Sequence, residues 1–307
     1  MNLMKLRIVE LIDRHHNMTS VAETLGIKQP TVTFHMKSLE KEMGVKLFEA
    51  RNGKTFLTEA GQALLHYAVK MNALAKESKR VVREYDNLYR GTLYIGASYV
   101  PATYLLPRIL NAFSQEFPGI RISLSVKPSL VIRNMLARHQ IDLGVVSSES
   151  FTDKNLLAES LCSDDLVLVC GLNHPLAKGE ALEPEQIART PFALHGTESS
   201  TRQLTNQWVE QHGLQLRSTV EMDSLEAIKQ LVLLGHHVSF LSRMAVYREE
   251  EQGWLRVLPI PGHQTSRYIY SVHNVDRLPS VQVNRFCEVL REAGAQAELG
   301  QREVKQQ

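Results

Sequence analysis

Several short runs place reactive side chains close together, and each suggests a chemistry that its spacing can test. Gly53-Lys54-Thr55 resembles the end of a phosphate-binding loop, but Phe48 stands where that loop requires its first glycine. Gly196-Thr197-Glu198-Ser199-Ser200 departs from the Gly-x-Ser-x-Gly turn that exposes a nucleophilic serine, and no spaced His and Asp partners accompany it. His15-His16 and His236-His237 are adjacent pairs whose rings point apart, and neither a His-Glu-x-x-His run nor a Cys/His cluster appears. No catalytic residue, metal ligand or cofactor is therefore expected, and the chain does not read as an enzyme. A third helix gives a sharper signal. With Val32, Met36, Leu39 and Met43 as its buried stripe, it exposes Gln29, Pro30, Thr31, Thr33, Phe34 and Lys37. Gln can pair bidentately with adenine, Lys can reach guanine, and Thr or Phe can touch a thymine methyl. A merely solvated face is the alternative, which the exposed Phe34 and Pro30 disfavour. Lys28, Arg51 and Lys54, at a helix entry and in a hairpin, suit phosphate contact better than base reading.

A second set of candidates is rich in hydroxyls. Ser98, Tyr99 and Thr103 follow one expected strand, Ser147 follows another, and His195, Ser199, Ser200, Thr201 and Arg202 follow a third and open a helix. Hydroxyls and free N–H groups at helix starts hold small anions. The same residue types serve equally as plain helix caps, and Arg202 has a surface ion pair with Glu198, one turn earlier, as its alternative.

These residues need elements to position them. Met4, Ile8, Leu11 and Ile12 mark an amphipathic first helix ending near His15 to Asn17. A second, capped by Ser20 with Glu23 or by Thr19, stops at Gly26. The third opens at Gln29-Pro30. Three helices with a tight Gly turn between the last two form a helix-turn-helix, and the β-prone runs flanking Asn52-Gly53 add a hairpin wing. From Thr58 a helix of about 30 residues, roughly 45 Å long, spaces Leu64, Ala68, Met71, Ala75, Ser78, Val82, Tyr85 and Tyr89 alternately 4 and 3 apart, as in a dimerisation seam. After Gly91 strands alternate with helices, which predicts a mostly parallel sheet, and a second such region runs from about Cys162 to Gln264. Open sheets of this kind place ligands beyond the carboxyl ends of their strands. The tail after Ala293 is expected to fray.

Composition sets the outer limits. The 307 residues are 43% apolar and 22% charged, which excludes disorder, collagen and disulfide-stapled miniproteins and predicts two or three domains. Three dispersed cysteines, and an N-terminus without the unbroken apolar core of a signal peptide, favour the cytoplasm. No apolar run is long enough to span a membrane. The net charge of +2 hides an asymmetry, since residues 1 to 90 hold 15 Lys and Arg against 10 Asp and Glu. A basic end points to a polyanionic partner there.

The runs Met18-Thr-Ser-Val-Ala-Glu-Thr-Leu-Gly-Ile-Lys-Gln-Pro-Thr-Val-Thr, Leu39-Glu-Lys-Glu-Met-Gly-Val-Lys-Leu-Phe-Glu and Leu57-Thr-Glu-Ala-Gly resemble the N-terminal signature of LysR-type transcriptional regulators. Tyr104-Leu-Leu-Pro, Ile141-Asp-Leu-Gly, Asn173-His-Pro-Leu and Ser224-Leu-Glu-Ala-Ile resemble that family's effector domain. The resemblance implies an α+β multidomain chain: a winged helix-turn-helix over 1–57, a linker helix over 58–90, and a two-lobed α/β effector domain, resembling periplasmic binding proteins, over 91–300. Lobe I would hold about 91–160 and 266–300, lobe II about 161–265, with a tail over 301–307. It further implies a bacterial, cytoplasmic homotetramer built from dimers, which binds double-stranded DNA with two half-sites, takes a small effector, and has RNA polymerase as a further partner. Lys28, Phe34 and Ala50 depart from the family's usual Ser or Thr, Arg and Arg, so an operator preference does not carry over. A solute-binding protein or enzyme would explain residues 91 to 300 equally well, but not the winged-helix signature.

Overall fold

The computed structural model describes residues 1–86, 91–178, 182–263 and 267–305. It forms two compact units, one of Met1–Asn87 with Arg138–Gln140, the other of the remaining residues from Leu88 on.

In the first unit α1 (Leu3–His15), α2 (Met18–Leu25) and α3 (Gln29–Met43) precede a hairpin of β1 (Phe48–Arg51) and β2 (Lys54–Leu57), then α4 (Glu59–Asp86). The cap of α2 is Asn17, whose side chain accepts from the N–H groups of Thr19 and Ser20, so neither Ser20 nor Thr19 has the expected role. Asn is as good a cap as Ser, and it stands directly after the turn made by His16, a left-handed residue at φ 52°. Asn52 and Gly53 both have positive φ, as a tight two-residue hairpin turn requires. Val32, Met36 and Leu39 are buried against Ile8, Ile12, Val21 and Leu47, whereas Met43 is exposed at the end of α3. Glu40 fixes the wing to α3. Its carboxylate accepts from Leu47 N at 3.0 Å and Phe48 N at 3.3 Å and pairs with Lys46 at 3.1 Å. Leu64, Leu65 and Ala68 of α4 pack onto this core, while Met71, Ser78 and Val82 are exposed. The expected seam residues Tyr85 and Tyr89 lie outside the described side chains.

The second unit opens with β3 (Gly91–Ala97), a π-helical turn (Pro101–Leu105), α5 (Leu106–Glu116), β4 (Ile120–Val126), α6 (Ser129–Ala137), β5 (Leu143–Ser148) and β6 (Leu156–Ser163). After these come β7 (Leu166–Gly171), α7 (Pro184–Ala188), β8 (Pro191–His195), α8 (Ser200–Gln211), β9 (Ser218–Met222), α9 (Leu225–Leu233), β10 (Ser239–Ser242), α10 (Arg243–Glu251) and β11 (Leu255–Leu258). The chain ends with β12 (Tyr268–Asn274) and α11 (Val281–Lys305). The first lobe is a five-stranded sheet in the order β4-β3-β5-β12-β6. Its glycines Gly96 and Gly144 face each other in register, and a Cβ on either would run into Ile132 of α6, so the pair lets α6 lie close on the sheet. The second lobe holds the sheet β10-β7-β11 and the parallel pair β8-β9.

The sheets are mixed rather than mostly parallel. β12 returns after the whole second lobe and pairs antiparallel with both β5 and β6, and β7 pairs antiparallel with both its neighbours. β6 reaches Ser163 in the first sheet, so the chain leaves the first lobe at Asp164 and re-enters it at Arg267. The residues after Ala293 continue as helix to Lys305, where fraying is expected from their composition; the Ala, Glu and Gln that make this stretch look like a tail are also good helix formers.

Candidate functional site

Two sets of residues stand out, one in each unit. On α3 the structure leaves Gln29, Pro30, Thr31, Phe34 and Lys37 exposed, with Phe34 at 67% exposure, and Lys28 exposed at the helix entry. Thr33 is half-buried and spends its hydroxyl on the Gln29 carbonyl at 3.3 Å, so it is not free to read a base edge as a donor. Pro30 occupies the first turn, where no N–H partner is missed, and Lys28 makes no side-chain cap bond. Lys54 is exposed in the wing, as is Arg51, which pairs with Glu49 at 2.6 Å. An apolar ring and an amide standing out from the first turns of one helix, with cations on either side, make a surface that fits a major groove and its flanking phosphates.

In the second unit a cleft with about 370 Å³ of unfilled space, open to solvent, draws together distant segments of the sequence. From the first lobe come Ser98, Tyr99, Ser129 and Ser147; from the second, His195, Ser199, Ser200 and Thr201. Ser98 and Ser129 have structural tasks there, since Ser98 Oγ accepts from Ser147 N at 3.0 Å and Ser129 Oγ donates to the Ser147 carbonyl at 3.1 Å. Ser199 caps α8 by accepting from Thr201 N at 3.2 Å. Thr103 and Arg202 do not line the cleft. Thr103 sits on the outer face of the π-helical turn, its hydroxyl on the Tyr99 carbonyl at 2.9 Å. Arg202 pairs with Glu221, not Glu198, at 2.8 Å and also donates to the His195 carbonyl, because β9 lies beside β8 and brings Glu221 within reach.

The residue that the sequence did not reveal is Arg267, only 2% exposed and the one cation lining the cleft among the described residues. It stands where the chain re-enters the first lobe, and Asp164 stands where the chain leaves it. Arg267 Nε donates to the Asp164 carbonyl and lies 3.1 Å from its carboxylate, while Asp164 N donates to the Arg267 carbonyl. Nη1 of Arg267 donates to Thr201 Oγ1 at 2.9 Å. A cation just before a strand that crosses between lobes has the position such a site needs, and that placement is the one signal the sequence offers.

Three buried polar atoms of this cleft have no hydrogen-bond partner among the described residues: Ser147 Oγ, His195 Nε2 and Arg267 Nη2. Burial and the neighbouring Arg267 push the His195 pKa down to about 4, against a hydrogen bond with the Phe240 backbone that favours the proton. His195 is therefore neutral near pH 7. Orphaned buried polar atoms cost stability, and that all three belong to residues lining one cavity fits a site shaped for an occupant. No cluster of His, Cys, Asp or Glu suited to a metal occurs among the described residues, and no helix is long and apolar enough to cross a membrane.

Both parts of the chain match known families. Residues 3–62 match the family of bacterial regulatory helix-turn-helix proteins, lysR family, and residues 86–295 match the LysR substrate binding domain. A protein of Porphyra purpurea described as a probable RuBisCO transcriptional regulator is 32% identical over 92% of this chain and 91% of its own length. A protein of Synechocystis with the same description is 31% identical over 90% of this chain and 81% of its own. Among solved structures, full-length OxyR from Pseudomonas aeruginosa superposes with a TM-score of 0.68 at 23% identity, covering 96% of this chain and 94% of that one. The regulatory domain of Synechocystis CcmR, solved in complex with 2-PG, superposes with a TM-score of 0.61 at 26% identity, covering 67% of this chain and 98% of that domain. With both of its modules matched and relatives aligned over nine-tenths of its length, the chain belongs to the LysR family of transcriptional regulators and carries that family's effector-binding domain.

Proposed function

We propose that this regulator binds an operator through Gln29, Thr31 and Phe34 of α3, with Lys28, Lys37, Arg51 and Lys54 on the flanking phosphates, and that a small anion in the cleft controls its output. Two copies joined along the face of α4 that carries exposed Met71, Ser78 and Val82 and half-buried Ala75 would present two reading helices to half-sites about one helical turn apart. Pairs of such dimers form the tetramer, acting in the cytoplasm beside RNA polymerase. The CcmR regulatory domain in complex with 2-PG supports a small-molecule effector. The proposal turns on the three unpartnered polar atoms of the cleft, Ser147 Oγ, His195 Nε2 and Arg267 Nη2. Within this reading Ser98, Tyr99 and Ser129 shape the wall, Ser199 and Ser200 present the start of α8, and Thr201 orients Arg267. Thr103 and Arg202 act from behind it.

An effector shifts the output only if it binds one arrangement of the lobes better than another, whatever its absolute affinity. The experiment is a thermal-shift series on the full chain with inorganic phosphate, 2-PG and simple carboxylates, followed by DNA binding with each hit. A ligand of the native cleft raises the melting temperature by mass action, changes operator affinity, and loses affinity when Ser147 is replaced by Ala. A hit that stabilises Ser147→Ala and the wild type equally would place the effector elsewhere.

A further inference from the structure

Resting on that cleft reading, we infer that the effector is an oxyanion that also carries a hydroxyl, the small 2-hydroxy carboxylates being the simplest members of the class. The three unpartnered atoms differ in what they ask of an occupant. Arg267 Nη2 can only donate, so it calls for an oxygen acceptor, best an anionic one. The guanidinium's charge is nevertheless already met by the Asp164 carboxylate at 3.1 Å, and that carboxylate is as buried as its partner. Arg202, the next cation, is committed to Glu221. What remains to attract negative charge is one unused N–H edge and the N-terminal ends of α6, α8 and α9, whose first residues Ser129, Ser200 and Leu225 line the same cleft.

His195 asks for the opposite group. Its ring bonds to the Phe240 backbone in the way that favours protonation, so the ring nitrogen there is the donor; with Nε2 the unpartnered atom, that donor is Nδ1. The neutral ring thus leaves a bare lone pair on Nε2 within the wall of the cleft, and an oxyanion alone cannot satisfy it. Arg267 and Arg202 both act against protonating the ring, and Asp164 and Glu221, the carboxylates near them, are engaged with those arginines. A hydroxyl on the occupant satisfies Nε2 without any proton uptake. Ser147 Oγ can donate or accept, and so fits either end of such a molecule.

The test uses the full chain and two matched pairs of probes, glycolate with acetate and lactate with propionate, read by calorimetry and by the His195 ring resonance in NMR. The expected result is that each hydroxy acid binds at least about ten-fold more tightly than its deoxy partner, since the partner leaves a buried acceptor unpaired. In His195→Phe, checked for folding by its melting curve, the preference should vanish while carboxylate binding persists. Equal binding within both pairs, weakened alike by Ser147→Ala, would overturn the hydroxyl requirement and leave the anion cleft standing. No response to any of the four acids, while inorganic phosphate or 2-PG still stabilises the chain, would overturn the hydroxy-acid inference alone; no response to the phosphate probes either would overturn the cleft reading with it.

Discussion

The two halves of this regulator solve opposite problems. The reading helix α3 keeps its functional groups exposed: Gln29, Thr31, Phe34 and Lys37 stand within nine residues of one helix, none of them in the core. The cleft hides its functional groups. Ser147, His195 and Arg267 are each more than nine-tenths buried and come from three separate stretches of chain, and the fold carries their unpaired atoms as a cost. Substitution should therefore affect function without stability in the first half, and couple the two in the second.

The largest expected effect is at Arg267. Replacement by Met strands the buried Asp164 carboxylate, and we expect a loss of about 3–5 kcal/mol, read as a lowered urea midpoint, together with loss of effector binding. A variant as stable as wild type would show that Asp164 does not need its partner. On the exposed side, Gln29→Ala should leave the melting temperature in place yet cost about 1–3 kcal/mol of discrimination between operator and random duplex; equal losses on both DNAs would mean that Gln29 reads no base.

Ser147→Ala sharpens the contrast because it should move stability and function in opposite directions. Removing an unsatisfied buried hydroxyl should stabilise the chain by about 1 kcal/mol and weaken effector binding, whereas destabilisation would show that the hydroxyl has a structural partner. The smallest effect concerns pH. Burial raises the pKa of Glu40, but the donated N–H groups of Leu47 and Phe48 and the Lys46 ammonium outweigh it, leaving the carboxyl below its ordinary 4.5. A group lowered on folding adds stability above its unfolded pKa and withdraws it as pH falls through the folded value. Glu40→Gln should thus lose about 1 kcal/mol at neutral pH and show a shallower loss between neutral and strongly acid pH. A parallel acid profile for the two proteins would remove Glu40 from the account of how the wing is held.

The same contrast explains what could be read from sequence. A 3.6-residue period and an Asn-Gly turn report on local structure, so α1 to α3, the wing and the exposed face of α3 were legible; Asn17 was missed only because Ser and Thr caps stood beside it. The strands with clean alternation or continuous apolar runs, β3, β4, β5, β7, β8 and β10, were legible too. β12 was not, although Tyr268 to Asn274 alternates, because its place between β5 and β6 depends on pairing with strands more than a hundred residues earlier. Arg267 follows from that. Nothing local marks it, and its meaning comes from the chain crossing between lobes beside Asp164. Thr103 and Arg202 failed as cleft residues for a related reason, since position after a strand fixes the neighbourhood of a side chain but not which side of the helix it occupies.

The most direct test of an effector-controlled DNA-reading protein is selection of duplex fragments by the full chain from a sheared genomic pool, repeated at rising salt and with each stabilising anion. We expect enrichment of sites with two related half-sites about ten base pairs apart, affinity that falls steeply with salt, and a shift in that affinity when the anion is present. Enrichment of no common sequence, or of sites whose occupancy no stabilising anion alters, would contradict the account.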